Sequence, residues 1–369
     1  MINPNLEKLA KVVVDYSLKV EKGHLVGING PSFALDMFQA LAVEVTKKGA
    51  HPLIIPRLEG ITEIKYKYST DEQLKFMDFV EKGVSTELDR LIEIRGDYNP
   101  KKFSCIDPKK FALARTTPER KELSKIFEKR SSSGELKWIV IPYPCHAYAQ
   151  EANMDLFTYT DFVYKSLFLD TKNPIEHWQN MQKNQESIIE YLNKVDQIQV
   201  IGKDTELKLS VKDRKWINCC GERNLPDGEV YTGPIENSVN GHIRFTYPGI
   251  YFGKEVEDIY LEFKEGEVVK ATAQKGQEIL DEVLKIENAC RIGEFAVGTN
   301  YGISQFTRNI LFDEKLGGTL HCALGLGFEK TGSKNQSTVH WDILKDMRLT
   351  GSKIIADGKL IYEDGKWKI

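Results

Sequence analysis

Through the first half of the chain, amphipathic stretches alternate with short apolar ones, and the period of the pattern changes near residue 196. LEKLAKVVVDYSLKV (6–20) carries apolar residues at helical spacing, and HLVGING (24–30) follows as an apolar run of strand length. Ser32 stands where an N-cap is expected, ahead of FALDMFQALAVEVTKKG, which closes on two lysines and Gly49. HPLIIP (51–56), RLIEIRG (90–96) and KWIVIPYP (137–144) read as further strands of the buried type, with helices around 71–82, 108–130 and 174–194. This alternation predicts an α/β N-terminal domain over 1–195, doubly wound around a largely parallel sheet.

From VDQIQVIGKDTELKLSVKDRKWINC onward, β-branched and polar residues alternate with period two. Turn pairs recur at Asn240-Gly241, Pro248-Gly249, Glu265-Gly266 and Asp357-Gly358. An α+β, mainly antiparallel C-terminal domain over 196–369 with one helix near 273–287 is the simplest reading, and a length of 369 residues suits two domains.

Composition acts mainly by exclusion. A formal net charge of −3 without a Lys/Arg tract argues against nucleic acid as a partner. The start MINPNLEKLAKVVVDYSLKV has no signal-peptide pattern and no run approaches membrane-span length, so a cytoplasmic protein without a membrane partner is expected. The six cysteines, Cys105, Cys145, Cys219, Cys220, Cys290 and Cys322, are scattered and read as reduced thiols. HLVGINGPS contains neither GxGxxG nor GxxxxGK[ST], and the chain has no GxSxG, HExxH or HxxEH. Metallopeptidase chemistry here needs dispersed ligands.

Candidate ligands lie in the last third. If TVHWDIL (338–344) is a strand, His340 and Asp342 share one face and Val339, Trp341 and Ile343 the other. His321 precedes them in the glycine-rich run GGTLHCALGLGF. Glu229 in NLPDGEVYTGP and Glu294 in CRIGEFAVGTN each begin an apolar, strand-like run, where a charge is costly unless paired or bound to a metal. Asp313, Glu314 and His242 are weaker candidates, while His24, His51, His146 and His177 receive no role. Read locally, each position also fits a structural part: a solvent-facing glutamate, a core imidazole, or a buried pair of His340 with Asp342.

Taken together, NLPDGEVYTGP, RIGEFAVGTNYGI, NILFDEKLGGTLHCALGLGF and NQSTVHWD resemble, in order and approximate spacing, the motifs of the thermophilic aminopeptidase family that includes aminopeptidases T and S. KWIVIPYPCHAYAQEANM resembles that family's Pro-Tyr-Pro segment, and the resemblance is strongest over 221–345. It implies a metal-dependent aminopeptidase that releases N-terminal residues from peptides with a free N-terminus, and a homodimeric assembly. Glu229, Glu294, His321, His340 and Asp342 would hold two divalent ions, zinc or cobalt, with at least one carboxylate bridging. Glu229 or Glu294 would also shuttle the proton. One position departs: many members have a tyrosine seven residues beyond the first histidine, where this chain has Phe328, which can neither coordinate nor donate. Tyr231 and Tyr301 lie in the motif regions. The departure leaves a second reading open, a catalytically weakened or inactive metal-binding homologue acting as a binding or structural dimer.

Overall fold

Leu25–Pro31, His51–Arg57, Arg90–Arg95 and Lys137–Pro142 pair in parallel, in the order 51–57, 25–31, 90–95, 137–142, in the computed structural model, which describes residues 3–104 and 106–369. Successive strands are laid down on one side of 25–31 and then on the other. Right-handed crossovers running in opposite directions put their helices on opposite faces, which is the doubly wound arrangement. Leu25–Pro31 is central, and its glycine at 27 allows close packing: a Cβ there would lie 2.4 Å from Leu88 Cδ1. That glycine belongs to the strand interior, in keeping with the missing nucleotide fingerprint.

Several local expectations shift. His51–Arg57, read as a buried strand, lies at one edge of the sheet, and Leu53 and Ile54 are each 43% exposed there. Ser32 does not cap the next helix: its N–H donates to Arg57 O, prolonging the strand pairing, and Leu35–Lys47 starts behind Ala34. The helix expected over 71–82 is two, Asp71–Lys75 behind a Thr70/Gln73 capping box and Phe79–Thr86 behind Asp78. The one expected over 108–130 breaks where Thr117 and Pro118 start a second helix, Pro118–Ser133. The first helix is α-helical over Pro4–Lys11 and continues in π geometry over Val12–Ser17.

The chain forms two compact units, Met1–Ile175 with Gly221–Leu225 and Glu176–Cys220 with Pro226–Ile369. The helix Pro174–Leu192, read as closing the first domain at 195, therefore counts almost wholly with the second. That unit holds an eight-stranded sheet, ordered 267–272, 260–264, 240–244, 205–210, 197–202, 353–356, 359–363, 366–367, and a five-stranded one, ordered 340–346, 319–325, 292–298, 229–232, 217–219. Every pairing in both is antiparallel. Val200, Leu207, Ile243 and Ile354 of the larger sheet share one core with Phe295, Leu320, Trp341 and Ile343 of the smaller. The helix near 273–287 is Gln277–Leu284. Among the described residues no helix is long and apolar enough to cross a membrane. The five described cysteines are free thiols, and the expectation for Cys105 lies outside the described residues.

Candidate metal centre

The smaller sheet has two unlike faces. Val230, Phe295, Val297, Leu320, Cys322, Leu324, Trp341 and Ile343 turn into the core. By cross-strand register the other face carries Glu229, Tyr231, Glu294, Ala296, Gly298, His321, Ala323, Gly325, His340 and Asp342. Glu294, Ala323 and Asp342 stand in one row across three strands, His321 lies opposite Ala296, and His340 opposite Gly325. Polar groups thus alternate with alanine or glycine, and the small residues keep the space between them clear. His340 and Asp342 share a face, as their spacing predicts.

Glu294 reaches this face through a bulge. Ile292 pairs with Leu324 but Glu294 with Ala323, so two steps along one strand match a single step along the other. Strict alternation would put Ile292 and Glu294 on the same face. The extra residue, Gly293, is irreplaceable by packing, since a Cβ there would meet Gly325 O at 2.2 Å and Leu326 O at 2.3 Å.

The polar groups converge. His321 Nε2 lies 3.3 Å from Glu229 Oε2 and 3.3 Å from Glu294 Oε1. His340 Nε2 lies 3.7 Å from Glu294 Oε2 and 3.5 Å from Asp342 Oδ1. Its Nδ1–H donates to Leu326 O at 2.9 Å, which orients the ring and leaves Nε2 for the carboxylates. The groups fall into two sets of potential cation ligands, Glu229, Glu294 and His321, and Glu294, His340 and Asp342, with Glu294 common to both. Glu229 Oε2 and Asp342 Oδ1 are buried without a hydrogen bond. Such atoms are costly unless a cation takes their lone pairs, so imidazole and carboxylate here fit a divalent metal.

Electrostatics agree. Burial alone would lower His321, but the bond to Glu294 and the charges of Glu229 and Asp342 prevail and raise its pKa to about 9. His340 rises against the same burial to about 10, through Asp342 and Glu294. Burial works against ionisation of Asp342, yet the two imidazoles and Lys315 hold it down at about 2. Burial and the charges of Glu229 and Asp342 push Glu294 up. Asp342 is thus held ionised by positive charge around it, while Glu294 lacks enough of it.

Part of it comes from Lys315, 1% exposed and absent from the sequence-based candidates. Its ammonium donates to Glu229 Oε1 at 2.8 Å and to Glu314, and lies 4.0 Å from Asp227 Oδ1. A third group of potential ligands, Cys219, Asp227 and Glu229, is therefore already served by a cation. The available signal was the charged run Asp313-Glu314-Lys315 just before the Gly317-Gly318 entry to an apolar strand. Glu314 joins the cluster through Lys315, whereas Asp313 is buried nearby, accepting from the Thr307 N–H at 2.7 Å and hydroxyl at 2.8 Å. His242 lies in the other sheet, 5.7 Å from the Tyr260 ring. Phe328 stands between Tyr231, 5.7 Å away, and His340, 5.0 Å away. The Tyr301 hydroxyl donates instead to Gly365 O at 2.7 Å.

The model of the thermophilic metalloprotease family M29 matches residues 2–367. Aminopeptidase 2 of Geobacillus stearothermophilus is 26% identical, over 98% of this chain and 97% of that one. Aminopeptidase AmpS of Bacillus subtilis is 25% identical, over 98% of each. Among solved structures, wild-type AmpT from Thermus thermophilus superimposes with a TM-score of 0.85 over 99% of both chains at 22% identity, which establishes a common fold. A match along essentially the whole chain places it: the protein belongs to the M29 family of thermophilic metalloproteases.

Proposed function

We propose that this protein is a metal-dependent aminopeptidase that releases N-terminal amino acids from peptides. Glu229, Glu294, His321, His340 and Asp342 would hold two divalent cations, zinc or cobalt as the resemblance to the family implies. The observation that carries the reading is Glu294, whose two oxygens are divided between the two histidines, the disposition of a bridging carboxylate. The names of the relatives support the same activity.

When bound, the cation pair supplies Lewis-acid polarisation of the scissile carbonyl and brings the pKa of water into the neutral range. The chain does the rest. Asp227, Glu229, Glu294, Glu314 and Asp342 bring five carboxylates together, which Lys315 and two divalent ions match charge for charge. Glu229 and Glu294 are the carboxylates that would, beside holding the cations, pass a proton to the leaving amine, with Glu314 bonded to Lys315 next to Glu229. The free α-amine of the peptide confines cleavage to the first residue. Free cysteines fit the reducing cytoplasm, and the homodimer expected by resemblance completes the proposal.

Chelation is expected to abolish release of 4-nitroaniline from leucyl-4-nitroanilide, and zinc or cobalt to restore it. Full turnover in chelator would sink the proposal. Phe328 favours a second reading, a metal-binding dimer with weakened catalysis, because no phenol stands at that position beside His340. Two bound metals with negligible turnover, and activity gained in Phe328→Tyr by up to ~100-fold, would select it.

A further inference from the structure

We propose that a small apolar cavity beside His340 and Asp342 receives the side chain of the substrate's first residue and selects aliphatic residues of leucine size. The proposal rests on the aminopeptidase reading. The cavity, about 140 Å³, is lined by Pro248, Ile250, Phe306, Ile310 and Leu344, with His340 and Asp342 at one side and Asp313 also contributing. His340 and Asp342 belong both to the ligand set and to the lining of this space, so a peptide whose terminal amine and first carbonyl lie at those ligands has its first side chain beside it.

Its walls are firm. The Thr246 and Tyr247 N–H groups both donate to Leu344 O, at 3.0 and 3.2 Å, tying the segment with Pro248 and Ile250 to the outer strand of the sheet. Phe306 stacks on Tyr247 with ring centroids 4.9 Å apart and planes 13° from parallel. Ile310 is 47% exposed, an apolar side chain left at the mouth. A dry cavity of ~150 Å³ holds a benzene ring, so this space takes about six non-hydrogen atoms at most. The four carbons of a leucine or isoleucine side chain fit, and an indole does not. Asp313 offers little to a basic side chain, because its Oδ1 is already bonded twice to Thr307 and burial holds the carboxyl's pKa up at about 7.

The test compares kcat/KM for alanyl-, leucyl-, tryptophanyl-, lysyl- and glutamyl-4-nitroanilides on the metal-loaded protein. Leucyl is expected to exceed the tryptophanyl and charged substrates by ~10-fold or more. Ile250→Phe, which fills the cavity, should cut leucyl turnover by ~10-fold or more relative to alanyl, and Ile310→Ala, at an exposed position safe for folding, should narrow the leucyl-to-tryptophanyl ratio several-fold. Unchanged ratios in both variants, or a wild-type preference for lysyl or tryptophanyl substrates, would overturn the assignment while leaving the aminopeptidase intact. Should no anilide be cleaved, the activity reading fails instead, and calorimetry with L-leucinamide decides the cavity: binding lost in Ile250→Phe supports it, and no binding overturns it.

Discussion

The two carboxylate oxygens of Glu294 face different histidines, Oε1 at 3.3 Å from His321 Nε2 and Oε2 at 3.7 Å from His340 Nε2. Asp342, by contrast, approaches only His340. The two acids therefore differ in what their loss removes. Glu294→Ala is expected to empty both cation positions, whereas Asp342→Ala should leave one metal held by Glu229, Glu294 and His321. Elemental analysis of the two purified variants checks this, and equal metal content in both would refute the bridging role.

Gly293 controls the aim of Glu294 and touches the anchor of His340. The carbonyl of Leu326, which a Cβ at 293 would meet at 2.3 Å, is also the acceptor of His340 Nδ1–H. Gly293→Ala is expected to destabilise the fold by about 1–3 kcal/mol through forced backbone movement and to weaken metal binding together with it. Denaturant unfolding and metal titration measure the two effects, and retention of full metal affinity would mean that the bulge is not what directs Glu294.

Lys315 is a buried cation shared by Glu229 and Glu314, with Asp227 nearby. Replacing it with methionine keeps the volume but leaves these carboxylates uncompensated. Removing one partner of a buried ion pair costs about 3–5 kcal/mol. The melting temperature of Lys315→Met should fall steeply without metal and less with excess zinc, since bound cations then supply part of the missing charge. An equal loss in both conditions would show that Lys315 acts by packing alone.

The histidines make the metal-free protein sensitive to alkali. His321 and His340 are raised to about 9 and about 10 from an ordinary value near 6.5. Groups raised on folding contribute stability that is complete below the unfolded pKa and lost as the pH climbs through the folded one. The melting temperature of chelator-treated protein is thus expected to decline between about pH 7 and 10. The same protons oppose metal: near pH 7, loading should release up to about two of them and apparent affinity should rise with pH. Calorimetry in buffers of different ionisation enthalpy counts the release, and none would contradict the picture.

The periodicity of the chain determined a good deal unaided. Strand period two placed His340 and Asp342 opposite Trp341, and the apolar runs opening at Glu229 and Glu294 marked carboxylates that burial would leave in need of a cation. The alternation of helices and apolar strands likewise made the parallel sheet legible. Tertiary structure decided what local pattern does not encode. His51–Arg57 looks buried by composition, yet lies at an edge because strand order is set by crossovers between distant segments. Lys315 looks like part of a solvated charged run until Glu229 of a strand distant in sequence, Asp227 and Glu314 gather around it. Glu294 joins the histidines because Gly293 shifts the register by one residue, and register is a property of two paired strands. Periodicity reports which way a side chain points along its own strand; desolvation and the meeting of charges depend on which other strands lie alongside.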